Sequence, residues 1–267
     1  MKLLVIPDVH GRDFWKEPCA HPENYDKIIF LGDYMDPYGF ENISVEAALF
    51  NFQDILMFAN ANKDKVELLL GNHDMPYFSE TYNGFAWSHC RHSKFHHNDI
   101  KQRFDEYREL FKIATTYDDI LFTHAGVTPG WLFTVFTEQY KLTTLDDLCF
   151  SLNNLLNTKE GLKYLYMISE DRGGRDRYAS CIWADCSETM WYQTLNAPEK
   201  LPEKVQNIIN IKQVFGHTLQ AFYGEDMTIE YGWAVEKGNN KMLDNCHAYE
   251  LDTENFTIKN IIKKFNK

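Results

Sequence analysis

The chain has 267 residues, 44% of them apolar and 15% aromatic, with a mean hydropathy of −0.45. That is enough apolar material for a buried core and argues against a disordered or membrane-embedded class. A formal net charge of −12 excludes unspecific polyanion binding, which depends on Lys and Arg neutralising phosphates, so no nucleic-acid partner is expected.

In chain order, residues 2–7, 26–31 and 66–70 are short apolar runs, as expected of strands covered on both faces. The first run ends at Asp8, too short for a signal-peptide core, and no run approaches the roughly 20 apolar residues of a bilayer span. A cytoplasmic protein without a membrane partner is expected. Between the second and third runs, Val45, Ala48, Leu49, Phe52, Ile55, Leu56 and Ala59 follow helical spacing, with Ser44 as N-cap. Strand, helix, strand predicts an α/β fold. A helix is expected over residues 99–112 and a strand over 120–123. Residues 129–168 read as largely helical, with Leu145, Leu148, Leu152 and Leu155 on one face, and 213–215 as another strand. The tail runs 233–235, 249–251 and 256–258 read as antiparallel strands closing a second sheet. The organisation expected is one domain over 1–267, with inserts around 75–117 and 129–170. The six cysteines lack zinc-finger or CxxC spacing and read as reduced.

Five strings end apolar runs in metal-binding side chains: Asp8-Val9-His10, Gly32-Asp33-Tyr34-Met35-Asp36, Gly71-Asn72-His73-Asp74, His124-Ala125-Gly126 and Gly216-His217. Strand ends delivering ligands to one rim are where open α/β sheets place their chemistry. Asp8 and His10 could share one cation, Asp33 could bridge two, and Asn72, His124 and His217 could complete the second. Mixed oxygen and nitrogen ligands suit manganese, iron or zinc. Two adjacent cations predict hydrolysis of a phosphate ester.

The set resembles the calcineurin-like metallophosphoesterase superfamily, most closely its phosphoprotein phosphatase branch and the bacterial and phage relatives. The strings of that branch are Gly32 to Asp36, Phe122-Thr123-His124-Ala125-Gly126-Val127 and Phe215-Gly216-His217-Thr218; Ile182-Trp183-Ala184-Asp185 and Leu243-Asp244 are similar to two more. The resemblance implies a four-layer α/β/β/α sandwich of two mixed sheets. It implies Asp8, His10 and Asp33 on one metal ion, and Asp33, Asn72, His124 and His217 on the other. It further implies His73 as the acid that protonates the leaving oxygen, oriented by Asp36. A phosphorylated protein or small molecule would be the partner, with metal-bound hydroxide as nucleophile and no phosphoenzyme. A serine/threonine protein phosphatase is the first reading. A nucleotide or dinucleoside polyphosphate hydrolase is the alternative, and a non-catalytic binding scaffold the third. The fifth string lacks the second His of the His-x-His form found in many nucleases of the superfamily, which also favours a phosphatase.

One position departs from the resemblance. The branch follows Gly-Asp-x-x-Asp with a phosphate-gripping Arg, and here Pro37 stands there. Arg172, Arg175 and Arg12 are the candidate phosphate-binding replacements, Arg172 first because Gly173-Gly174 allows close backbone approach. His89, His92 and His96 could align on one helical face, with Cys90 and His97 nearby, and read as a solvated or substrate-facing insert. Phe78, Tyr82, Phe85 and Trp87 could wall the cleft.

Overall fold

Alternation along the first strand organises the layers. In the computed structural model, which describes residues 1–79, 84–136, 142, 144–191, 211–218, 221–223, 229–231 and 234–261, the strand β1 (Lys2–Ile6) is buried from Leu3 to Ile6. Leu3 and Val5 face one apolar cluster and Leu4 and Ile6 another, because successive side chains of a strand point to opposite faces. Strands β2 (Lys27–Phe30) and β3 (Val66–Leu69) repeat the pattern. Between them α1 (Val45–Ala61) is capped by the Ser44 hydroxyl, which accepts from Ala47 N, and it buries Phe52, Ile55, Leu56 and Ala59.

The chain continues through α2 (Met75–Phe78), α3 (Gly84–Ser88), α4 (His97–Glu106), β4 (Phe111–Lys112), β5 (Ala114–Tyr117) and β6 (Ile120–Thr123). Then come α5 (Pro129–Val135), α6 (Leu145–Asn154), α7 (Lys159–Leu165), β7 (Lys212–Phe215), β8 (Ala221–Tyr223) and β9 (Ile229–Tyr231). The described residues end in β10 (Val235–Lys237), β11 (Asn240–Met242), β12 (Ala248–Asp252) and β13 (Thr257–Ile261).

Among the described residues one sheet runs β13-β12-β1-β2-β3-β4 and a second β10-β11-β7-β6-β5, each mixing parallel and antiparallel pairs. Between them lies one core, in which Leu3, Val5, Ile29, Leu31 and Leu69 meet Ile120, Phe122, Val214 and Leu243. The outer faces carry helices, α1 against the first sheet and α6 against β5. The architecture is the α/β/β/α sandwich of two mixed sheets.

Several expected elements differ. The helix expected over 99–112 ends at Glu106, and Phe111–Lys112 forms an edge strand beside β3. Pairing with the exposed edge of β3 satisfies backbone groups that a longer helix would have left there. The 129–168 stretch is broken into α5, α6 and α7, with a capping box on Thr144 and a second N-cap at Thr158. The tail does not close the second sheet: β12 pairs antiparallel with β1 and β13 with β12, so both extend the first. Only β10, through β11, joins the second. Tyr82, the side chain of Phe85 and Trp233 lie outside the described residues.

Candidate metal centre and phosphate cavity

All five strings lie at strand ends on one rim, after β1, β2, β3, β6 and β7. The turns there are tight. His10 (φ 46°), Asp33 (54°), Asp36 (60°) and His217 (69°) adopt the left-handed region, which costs a non-glycine residue energy and persists only where the surroundings over-determine it. Close approach explains two glycines. A Cβ on Gly71 would fall 2.1 Å from Asp33 Oδ1, and one on Gly216 2.5 Å from Asp8 Oδ1. Asp74, fully buried, ties two loops together: its Oδ2 accepts from Asp33 N at 2.7 Å and Gly71 N at 2.8 Å, and its Oδ1 from Tyr34 N at 3.0 Å. Sequence reasoning passed over Asp74 because its role is to hold backbone.

The ligand-type side chains converge. His124 Nδ1 donates to the Leu31 carbonyl at 2.9 Å, which turns Nε2 toward Asn72 Oδ1 at 3.1 Å, His217 Nδ1 at 3.0 Å and Asp33 Oδ2 at 3.4 Å. His10 Nδ1 likewise donates to the Met35 carbonyl at 2.8 Å, leaving Nε2 3.5 Å from the same Asp33 Oδ2. Two groups of potential ligand atoms thus form, His10/Asp33/His73 and Asp33/His124/His217. Asp8 borders them: its Oδ1 accepts from His217 N at 2.9 Å, while Oδ2 is buried with no hydrogen-bond partner.

These residues fit cations. The separations of 3.0–3.5 Å from His124 Nε2 to Asn72 Oδ1, His217 Nδ1 and Asp33 Oδ2, and from His10 Nε2 to Asp33 Oδ2, are the edge lengths expected of ligands about 2.0–2.2 Å from a shared metal ion. Asp8 Oδ2, buried without a hydrogen-bond partner, would otherwise cost desolvation energy without return. Charge state agrees. Burial pushes His10 and His217 well below the usual imidazole range, so both rings are neutral. Burial would raise Asp33, yet His124 and His73 hold it well below the carboxylate range. Burial opposes a charge on His124, but Asp33 and Asp8 outweigh it and push its pKa up to about 9. A cation in the site would displace that proton.

His73 and Asp36 also meet. His73 Nδ1 donates to Asp36 Oδ2 at 2.9 Å, and the Tyr77 hydroxyl donates to Asp36 Oδ1 at 2.6 Å. Tyr77 in turn accepts from Ser93 N at 2.8 Å. The imidazole is thereby held with Nε2 turned away from Asp36, and His73 N is anchored on Asp33 Oδ1 at 2.8 Å.

A cavity of about 200 Å³ opens onto His10, Asp33, Asn72, His73 and His217, and its walls are Tyr38, His89, Arg91, Arg172 and Trp183. Arg172 therefore reaches the site, held by Asp185 Oδ2 at 2.8 Å and the Thr218 hydroxyl at 2.6 Å. The other two candidate arginines do not. Arg12 is buried, with Nε on Glu41 at 2.7 Å and Nη1 on the Asn245 carbonyl at 2.9 Å; it closes the first ligand loop. Arg175 is exposed and lies off the cavity. Arg91 was missed, since nothing in its local sequence marks it.

The histidine cluster scatters: His92 Nε2 lies 2.9 Å from His97 Nδ1, His96 faces Glu46, and His89 borders the cavity. No helix aligns them, as α3 ends at Ser88 and α4 begins at His97. Phe78 packs under Arg108, and Trp87 against His92; the aromatic walls are Tyr38 and Trp183 instead.

The family model for calcineurin-like phosphoesterases matches residues 1–221. Among solved structures the fold is similar to a cold-active protein-tyrosine phosphatase of a psychrophilic Shewanella species, 14% identical, with 98% of this chain and 80% of that one covered and a TM-score of 0.51. A protein serine/threonine phosphatase from Saccharomyces cerevisiae is 13% identical, with 100% of this chain and 82% of that one covered and a TM-score of 0.45. No curated protein matches the chain.

Proposed function

The chain belongs to the calcineurin-like phosphoesterase family and is a metal-dependent phosphoric ester hydrolase; from that premise we propose a phosphomonoesterase built on two adjacent cations. One observation carries the reading: Asp33 Oδ2 is shared by His10 Nε2 and His124 Nε2, at 3.5 and 3.4 Å. A single carboxylate oxygen between two imidazole groups is the arrangement of a bridging ligand. Asp8, His10 and Asp33 would hold one ion, and Asp33, Asn72, His124 and His217 the other. Manganese, iron and zinc suit these donors. A pair of cations held there would supply positive charge to the phosphoryl group and would acidify a water toward a nucleophile at neutral pH.

The chain supplies the rest. His73 Nε2 holds the proton for the departing oxygen, and Asp36 keeps the ring oriented through Nδ1. Arg172, fixed by Asp185 and Thr218, contributes a guanidinium to the phosphoryl group. Phosphoserine and phosphothreonine in proteins are the substrates to try first, with one domain organising the whole chain and a cytoplasmic setting. Among the described residues no helix is long and apolar enough to cross a membrane.

The test is a substrate panel with metal analysis on one preparation: p-nitrophenyl phosphate, bis-p-nitrophenyl phosphate and a dinucleoside tetraphosphate. Two transition-metal ions per chain and preference for the monoester are expected. Preference for the tetraphosphate would favour the nucleotide reading, and a protein without metal would return the chain to the scaffold class.

A further inference from the structure

We propose that Arg91, brought in from the segment after α3, is a second guanidinium gripping the phosphoryl group, and that it sets a preference for terminal phosphates; the inference rests on the monoesterase reading above. Its placement brackets the position where the resemblance expects an arginine and the chain has Pro37. Arg91 Nε donates to the carbonyl of Asp36 at 3.0 Å, on one side of Pro37. Its Cζ lies 3.7 Å from the centroid of the Tyr38 ring, on the other. The guanidinium is thus held by backbone and an aromatic face at the very turn that follows Asp36, although it comes from 55 residues further along the chain.

The third contact shows which way it faces. Arg91 Nη2 is 3.3 Å from His10 Nδ1 and 3.4 Å from His10 Nε2. The Nδ1 proton is already given to Met35. A donor equidistant from both nitrogens in the ring plane would collide with Cε1, so Nη2 rests against the ring's face. The group therefore sits over a candidate ligand without competing for its lone pair, on the wall of the cavity that also contains Asn72, His73 and His217.

Charge separates Arg91 from Arg12 and Arg172. Arg12 is paired with Glu41 and Arg172 with Asp185, whereas among the described residues no carboxylate ion-pairs with Arg91. Nε is committed to the Asp36 carbonyl and Nη2 lies on the His10 ring, so Nη1 and the second Nη2 hydrogen keep donors for an anion, and the side chain is exposed at the cavity mouth. A phosphomonoester carries three free oxygens and a second negative charge; a diester has two free oxygens and one charge. A planar fork matches that extra oxygen and charge.

The test uses the metal-loaded protein, with Arg91→Ala and Arg91→Lys beside the wild type. Inorganic phosphate affinity is measured by calorimetry, metal content by elemental analysis, and kcat/KM on p-nitrophenyl phosphate and its bis ester. For Arg91→Ala we expect phosphate binding to weaken about 10²-fold and monoester kcat/KM to fall about 10²–10³-fold, with metal content unchanged and the diester rate much less affected. Arg91→Lys should fall between, since it keeps the charge and loses the fork. Phosphate affinity within about fivefold of wild type in both variants, the scale of an exposed charge that contacts no ligand, would overturn the proposal. Loss of metal would overturn it too, by making Arg91 a support for His10. A wild type that prefers the diester would sink the monoesterase reading, while phosphate affinity would still judge Arg91 separately.

Discussion

The rim that presents the candidate metal ligands and the wall of the cavity beside it are built in opposite ways. The rim is backbone-determined: Asp8, His10, Asp33, Asn72, His124 and His217 are all buried, each directly follows a strand, and main-chain bonds to Leu31, Met35 and Asp74 set their orientation. The wall is assembled from side chains of distant segments. Arg91 reaches it from beyond α3, and Arg172 from the turn after α7 on a carboxylate supplied by Asp185. The proposed ligands, which need fixed spacing, sit on the rigid part, and the arginines proposed to grip phosphate are carried by connecting segments.

Four substitutions would break or sharpen that contrast. The largest effect is expected at the rim. Asp33→Asn should lower turnover at least about 10⁴-fold, because the proposed bridging ligand would be lost and with it the cations that would bring a water pKa from about 15.7 to about 7. Metal content should drop with it, and full occupancy in elemental analysis would remove Asp33 as the bridge. His73→Asn stands next, at about 10²–10⁴-fold in kcat with metal retained. His73 also lies within the His10/Asp33 group, so metal loss from this variant would make it a ligand rather than the acid. Asp74→Ala tests whether backbone anchoring holds the rim. Leaving the amides of Gly71, Asp33 and Tyr34 unpaired should cost about 3 kcal/mol of stability, read as a lower denaturation midpoint together with weaker metal retention. A variant as stable as wild type would show that the loops hold without it. Smallest is Tyr77→Phe, where rim and wall touch: the hydroxyl links Asp36 to Ser93 N. Its loss should slow the monoester reaction about fivefold, the scale of about 1 kcal/mol for one hydrogen bond, and leave diester and monoester equally affected. A selective loss of the monoester would mean that Tyr77 positions the Arg91 segment as well as the acid pair.

Sequence reading succeeded where local pattern and structure share a cause. Runs 2–7, 26–31 and 66–70 are strands because burial on both faces demands unbroken apolar residues, and α1 follows its i, i+3, i+4 pattern to its Ser44 cap. It erred where the deciding partner was remote. Phe111–Lys112 has no strand signal of its own and pairs because β3 offers an edge. Residues 248–252 and 257–261 are evident strands, but whether they extend the first sheet or the second depends on which edge is open, and β1 takes them. Arg12 follows the first ligand string, which points to the phosphate; in the fold Glu41 and the Asn245 carbonyl claim it.

What the amino-acid sequence settled by itself was the inventory of donors and the order in which strands present them. Glycines that tolerate close approach, and short polar or imidazole side chains after apolar runs, are properties of a few adjacent residues. Which nitrogen of His10 or His124 turns inward, which aspartate holds backbone instead of a ligand, and which arginine faces the cavity were decided only when the two sheets closed on each other. Those outcomes depend on hydrogen-bond partners tens to hundreds of residues away, and a side chain's local neighbours carry no record of who those partners will be.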